Sequence, residues 1–145
     1  MKIVLQRVKS AVLRVDNEAV SKIGRGIVVF FGVERGDLEE DLLRAAEKIP
    51  KLRIFADENG KTNLSLFDIG GEILLVSQFT LLGKCGKGHG NRPDFGGAEE
   101  PARAEAMYNL MADTLRKGGT AVKLGVFGAH MEIEQLNDGP FTIIL

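Results

Sequence analysis

Apolar and polar positions along this chain change their spacing several times, and each change marks an element. Lys2–Val8 (KIVLQRV) reads as a short strand. Ser10–Asp16 (SAVLRVD) alternates Ala11 and Leu13 with Val12 and Arg14, the period of a half-buried strand, and DNEAV turns the chain after it. GIVVFFGV, ending at Val33, is an unbroken run of β-branched and aromatic residues, as expected of a strand covered on both faces. Leu38, Leu42, Ala45, Ala46 and Ile49 then recur at helical spacing. Asp37 followed by Glu40 resembles a capping box at the start of that helix, and Pro50 should end or kink it. RIFADENGKTN predicts a short strand and a turn, and Glu72–Leu81 (EILLVSQFTL) a second buried strand. A second helix is predicted from Pro101 to a Gly118-Gly119 stop, with an apolar face of Ala104, Met107, Tyr108, Leu110, Met111, Thr114 and Leu115. Three strands close the chain: Ala121–Phe127, Met131–Asn137 and Phe141–Leu145. The order β-β-β-α-β-β-α-β-β-β is neither regular βαβ alternation nor all-β. It predicts a mixed α/β fold, one mixed sheet system with two helices packed on it.

Two segments resist this pattern. Residues 83–97 (GKCGKGHGNRPDFGG) hold six glycines and a proline, and read as a mobile surface loop. Gly139-Pro140 stands at the mouth of the last predicted strand, where Pro140 has no N–H for a ladder. The pair is either a tight turn into an edge strand or a dipeptide that presents its backbone to something else.

Composition narrows the class. With 145 residues, 44% of them apolar, the chain suits one compact domain over 1–145. The net charge of −1 does not mark a polyanion binder, but the charges are uneven. Lys2, Arg7, Lys9, Arg14, Lys22 and Arg25 make the first 25 residues basic, Lys84, Lys87 and Arg92 recur without an acid between them, and 34–47 is acidic. These are solvated faces or local contacts for a phosphate-bearing ligand. The single cysteine, Cys85, excludes an intrachain disulfide, Arg7 falls too early for a signal peptide, and the run Ile27–Val33 is too short to span a bilayer. The expectation is a soluble intracellular protein without an anchor.

The ordinary catalytic sets are missing. His89 and His130 with Cys85 lack zinc-ligand spacing, Ser77 is not in a Gly-x-Ser-x-Gly elbow, and GKCGKGHG matches a phosphate loop only in composition. What remains is SQFTL, residues 77–81, where Ser77, Gln78 and Thr80 put polar groups at the end of an apolar run just before the glycine-rich stretch. Those groups either bond to neighbouring backbone or serve a site.

VSQFTL together with NDGPFT resembles the paired signature motifs of the D-aminoacyl-tRNA deacylases, a chiral-proofreading family. The likeness extends over IVLQRV, GIVVFFGV, KLRIFADENGKTN, GGEILLVSQFTL, NRPDF, GVFGAHM and NDGPFTIIL, nearly the whole chain. This chain departs from the family pattern in a stretch between SQFTL and RPDF about two residues longer, in Phe141 after Gly-Pro, and in Pro50.

The resemblance implies a partial barrel with two helices on one side, and a cytoplasmic homodimer acting on aminoacyl-tRNA without cofactor, metal or membrane. It implies that Gly139-Pro140, with a cis bond, completes the partner's active site as a wall that rejects L-amino acids, so that glycyl-tRNA mischarged on alanine tRNA is also cleaved. Ser77, Gln78, Phe79 and Thr80 become the catalytic segment. Phe79 and Thr80 offer N–H groups to the oxyanion, and Phe79 stacks on the terminal adenine. Arg7 holds the wall, Met131 lines the adenosine pocket, Asn137 supports, and Lys84, Lys87 and Arg92 contact tRNA. Two mechanisms compete: Thr80 as nucleophile, which needs a base, or water assisted by the RNA 2′-hydroxyl. A non-catalytic RNA-binding dimer and a purely structural dimer are the rival classes.

Overall fold

The computed structural model describes every residue except Lys87 and His89. Its centre is the pair β3 (Gly26–Gly32) and β6 (Glu72–Ser77), which run parallel from Gly26 opposite Glu72 to Phe31 opposite Ser77. Alternation along both strands separates two apolar layers. Ile27, Val29, Phe31, Ile73 and Leu75 face the helices, where α1 (Glu39–Lys48) and α2 (Pro101–Lys117) contribute Leu42, Ala46, Met107, Tyr108, Met111 and Leu115. Val28, Leu74 and Val76 face the other way, against Val8, Ala11, Leu13 and Ile23. A run apolar at every position is what a strand buried on both faces needs, and each such side chain contributes about 1.5–3 kcal/mol on burial.

With β1 at Lys2–Val15, β2 at Glu18–Ile23, β9 at Ala121–Leu124 and β10 at Glu132–Ile144, the sheet order is β10-β1-β3-β6-β9, and β2 also pairs with β1. One long strand, β1 (Lys2–Val15), pairs with β3 over Lys2–Val8 and with β2 over Ala11–Val15, so its second half bends away from its first. The bend brings β2 back toward β9, where the Ser21 hydroxyl donates to the Leu124 carbonyl at 2.6 Å. The result is a mixed α/β fold, a nearly closed sheet with two helices on one face, as the sequence and the family resemblance implied.

Several expectations need correction. The two predicted N-terminal strands are one, because nothing between Lys9 and Ser10 forms a turn; the break survives as register irregularities around Val8. Likewise the last two predicted strands are the single strand β10 (Glu132–Ile144), with Gly139-Pro140 inside it. The strand predicted to reach Leu81 stops at Ser77, where the Gln78 N–H turns to the Phe31 carbonyl (2.8 Å) and a 3-10 turn, Phe79–Leu82, begins. The strand predicted to reach Phe127 stops at Leu124. Asp37 does not cap α1. Leu38 holds the cap position, and the Asp37 carboxylate instead accepts from the Glu34 N–H and the N-terminal ammonium, a charged partner that outcompetes a helix N–H. Pro50 follows α1 in a 3-10 turn, Ile49–Lys51, as its ring requires. Finally, the predicted loop 83–97 contains a hairpin, β7 (Lys84–Gly86) and β8 (Gly90–Asp94), which its glycines permit rather than prevent. The short pair β4 (Phe55–Ala56) and β5 (Thr62–Leu64) completes the elements.

Gly26 is a point of close approach in the central pair: a Cβ there would stand 1.9 Å from the Glu72 carbonyl oxygen. Gly26→Ala is therefore expected to separate the strands and cost about 3 kcal/mol. Chemical denaturation should show a lower midpoint at unchanged slope; an unchanged midpoint would mean the pair is not so closely packed.

Candidate active site

Where β3 and β6 end, a cleft of about 500 Å3 opens between the sheet and α2. Its floor is Phe31, Val33 and Val76, one wall is Ser77, Gln78 and Phe79, and another is formed by α2 and the residues just before it. The remaining wall runs from Phe127 to Met131. This is the side of an α/β sheet where strand ends release polar groups from a buried run.

Glycine sets the width of two of these walls. A Cβ on Gly32 would fall 2.7 Å from the Gln78 carbonyl, so only glycine lets the chain fold back at that point. A Cβ on Gly125 would fall 2.8 Å from the Met131 sulfur, so Gly125 gives Met131 its place at the rim. Tyr108 ties two strand ends together. Its hydroxyl donates to the Leu75 carbonyl (2.8 Å), which also accepts from the Gly125 N–H (2.9 Å), and its ring lies 6.0 Å from that of Phe127. Burial pushes the phenol up to about 12, so it stays a neutral donor.

The 3-10 turn carries the exposed residues. Phe79 is 57% exposed and meets the edge of Phe95 at 5.3 Å between centroids. Thr80 is exposed at the mouth, outside the residues that line the cleft, and its hydroxyl accepts from the Gln78 side-chain amide. The first bond of the turn is Leu81 N–H to Gln78 carbonyl, at 3.3 Å, so the N–H groups of Phe79 and Thr80 precede its ladder.

Gly139-Pro140 lies elsewhere on the chain surface. Val8 pairs with Asn137 and Gln6 with Thr142, so Arg7 alone stands opposite the four residues Asp138 to Phe141. The surplus bulges outward, with the Gly139-Pro140 bond cis and both residues exposed. Arg7 fills the space beneath. Its Nε donates to the Asp138 carbonyl (2.9 Å) and pairs with the Asp138 carboxylate (3.3 Å), Nη1 donates to the Ile54 carbonyl, and the guanidinium lies 4.7 Å from the centre of the Phe141 ring. Asn137 adjoins the bulge and accepts from the Gln135 amide at 3.0 Å.

Of the residues singled out from sequence, Ser77, Gln78, Phe79 and Met131 line the cleft. Thr80 stands at its mouth, and Arg7, Asn137, Gly139 and Pro140 gather at the bulge. None of the residues at the bulge is among the described residues that line the cleft. Lys84 and Arg92 are exposed on the hairpin; Lys87, a third predicted RNA contact, lies outside the described residues, as does His89. Sequence reasoning missed Glu99 and the role of Tyr108. The latter was hidden in an apolar helix face, where its hydroxyl was the available signal.

The family model described as D-Tyr-tRNA(Tyr) deacylase matches residues 4–145. A D-aminoacyl-tRNA deacylase from Geobacillus sp. (strain WCH70) is 50% identical over 145 residues, covering 100% of this chain and 94% of that protein. One from Lactobacillus delbrueckii subsp. bulgaricus (strain ATCC BAA-365 / Lb-18) is 48% identical over 145 residues, 100% of this chain and 99% of that protein. Among solved structures, the c-Myc DNA Unwinding Element Binding Protein superposes with a TM-score of 0.91 at 44% identity, covering 100% of this chain and 97% of that one. A structure described as a probable eukaryotic D-amino acid tRNA deacylase superposes with a TM-score of 0.81 at 23% identity, over 99% and 97% of the two chains, a likeness of fold.

Tyr108 is the single tyrosine of a chain without tryptophan, so ultraviolet titration reads it alone. In the folded protein its transition is expected at about 12. In denaturant it should fall near ~10. The unfolded chain gives up its proton first, so this contribution to stability is full below the lower value and is lost as pH rises toward the higher one. A native transition at the denatured position would mean that the phenol is not buried.

Proposed function

The chain belongs to the D-Tyr-tRNA(Tyr) deacylase family, and from that premise we propose that it hydrolyses the ester of D-aminoacyl-tRNA, releasing the D-amino acid and free tRNA. A tRNA substrate puts the reaction in the cytoplasm.

The observation that carries the reading is the separation of the two motifs. Ser77–Phe79 wall the cleft, while the Gly139-Pro140 bulge, held from beneath by Arg7, projects from the same chain without reaching that cleft. A second copy supplies the missing wall: the bulge of one protomer closes the mouth of its partner's cleft beside Thr80. β10 is at the sheet edge with Leu136 and Ile144 exposed at 59% and 73%, an apolar face that a homodimer would cover.

Chirality then follows from exclusion. With the ammonium and carbonyl of the substrate fixed, the side chain and hydrogen on its Cα can only exchange places. The backbone of Gly139-Pro140 fills the direction of an L side chain and leaves the D direction open. A hundredfold preference needs only ~2.7 kcal/mol, less than one hard clash supplies. Glycine has no side chain to reject, so glycyl-tRNA mischarged on alanine tRNA is a second substrate.

For the chemistry, the Phe79 and Thr80 N–H groups face the developing oxyanion, and Phe79 stacks on the terminal adenine. The partner of the Thr80 hydroxyl is an amide, Gln78, and an amide is not a base. That favours water assisted by the RNA 2′-hydroxyl over Thr80 as nucleophile. The exposed Lys84 and Arg92 on the hairpin suit the RNA backbone.

Two outcomes are expected. Purified enzyme should deacylate D-aminoacyl-tRNA at least a hundredfold faster than the L ester; equal rates would end this reading, and release of neither would favour a non-catalytic RNA-binding dimer. Gly139 holds φ at +144°, and a Cβ there would fall 2.7 Å from the Phe141 nitrogen. Gly139→Ala should therefore displace the wall and raise hydrolysis of L-aminoacyl-tRNA about tenfold or more, a modest part of the exclusion energy. Thr80→Ala should retain turnover within about tenfold; near-complete loss with normal binding would make Thr80 the nucleophile.

A further inference from the structure

Glu99 is the only acidic side chain among the described residues that line the cleft, and no lysine or arginine is among those residues. That lining suits a neutral nucleoside rather than a phosphate. The Glu99 side chain is 10% exposed and stands on a fixed wall: the Glu99 N–H donates to the Val33 carbonyl (2.9 Å) and the Arg35 N–H to the Gly97 carbonyl (3.0 Å). Its carboxylate accepts from the Glu100 N–H at 2.9 Å and pairs with Arg103. The Glu100 N–H first, then Arg103 and Arg35, hold the carboxyl below its ordinary range, so it is an ionised acceptor at neutral pH. A carboxylate takes about four hydrogen bonds, which leaves capacity for a ligand donor.

The position of Glu99 decides which donor it meets. Thr80 and its neighbouring N–H groups, where the ester reacts in the function proposed above, stand at the mouth. Glu99 lines the cleft with Ala98, as do Phe31, Phe79, Tyr108 and the Phe127–Met131 wall. A flat base fits that cleft, and its exocyclic amine is the donor that a carboxylate accepts.

Resting on the deacylase reading, we propose that Glu99 is a specificity-determining residue that accepts a hydrogen bond from the 6-amino group of the terminal adenine, so that the cleft reads the last base of the RNA by that donor.

The test uses D-aminoacyl RNA minihelices ending either in adenosine or in purine riboside, the same ring without the amine. Wild-type kcat/KM is expected to fall about tenfold or more on purine riboside, the loss of one charge-assisted bond. Glu99→Ala should show the same loss on adenosine and no further loss on purine riboside, and Glu99→Gln, which keeps a neutral acceptor, should fall between. Equal losses of Glu99→Ala on both RNAs would overturn the proposal as a structural effect. So would a wild-type enzyme indifferent to the amine, a result that depends on no variant folding. A Glu99→Ala defect that disappears when the substrate α-amino group is acetylated would assign the carboxylate to the ammonium instead, and also overturn it. Absence of turnover by wild-type enzyme on either RNA is a different failure, since it removes the deacylase activity itself and this inference with it.

Discussion

Everything in this fold is arranged around two parallel strands that cannot expose a polar side chain along their length. β3 and β6 are apolar on both faces because helices cover one and the rest of the nearly closed sheet covers the other. Their backbones pack so closely at Gly26 that no side chain fits between them. Polar groups can therefore appear only where the pair ends, and Ser77 and Gln78 are where it ends. The cleft is a consequence of that burial. Its floor is the last apolar layer, and its walls are the segments that leave the sheet because they no longer have a buried partner. Tyr108 ties two of those segments together, its hydroxyl donating to the Leu75 carbonyl that also accepts from the Gly125 N–H.

A second arrangement depends on a mismatch of chain lengths. β1 supplies one residue, Arg7, where β10 supplies Asp138 to Phe141. A surplus of this size has to leave the sheet plane. Arg7 is the residue type able to occupy the gap beneath, since its planar fork satisfies carbonyls of both Asp138 and Ile54 while its face lies on Phe141. The Phe141 ring thus has a local partner. A lysine could not bond and stack in the same way, so the support of the bulge rests on guanidinium geometry as well as on charge.

The strands and helices were legible because burial writes itself into periodicity. β3 and α2 appear in the sequence close to where they fold, and Gly118-Gly119 ends α2 as predicted. Connections were less legible. The breaks inside β1 and β10 look like strand ends in the sequence, and only pairing with a neighbour makes each a single irregular strand. The helix cap was misread because the N-terminal ammonium, distant in sequence, takes Asp37. The glycine-rich segment was read as a loop because glycine weakens strand propensity, a weak prior that a hairpin partner overrides. At the cleft, SQFT and Met131 could be picked out as polar or motif residues, whereas Glu99 is one acid among several in its stretch, and only the fold shows which of them lines it.

The bulge has one more effect, on colloidal behaviour. β10 is an edge strand of 13 residues, with a free row of amides and carbonyls beside exposed Leu136 and Ile144. Such an edge is a template for open-ended stacking of chains into fibrils. The outward excursion at Asp138 to Phe141, with a proline that has no amide hydrogen, divides the edge into two short lengths that lie out of line. An indefinite ladder cannot propagate across that break, while a closed, finite contact still can.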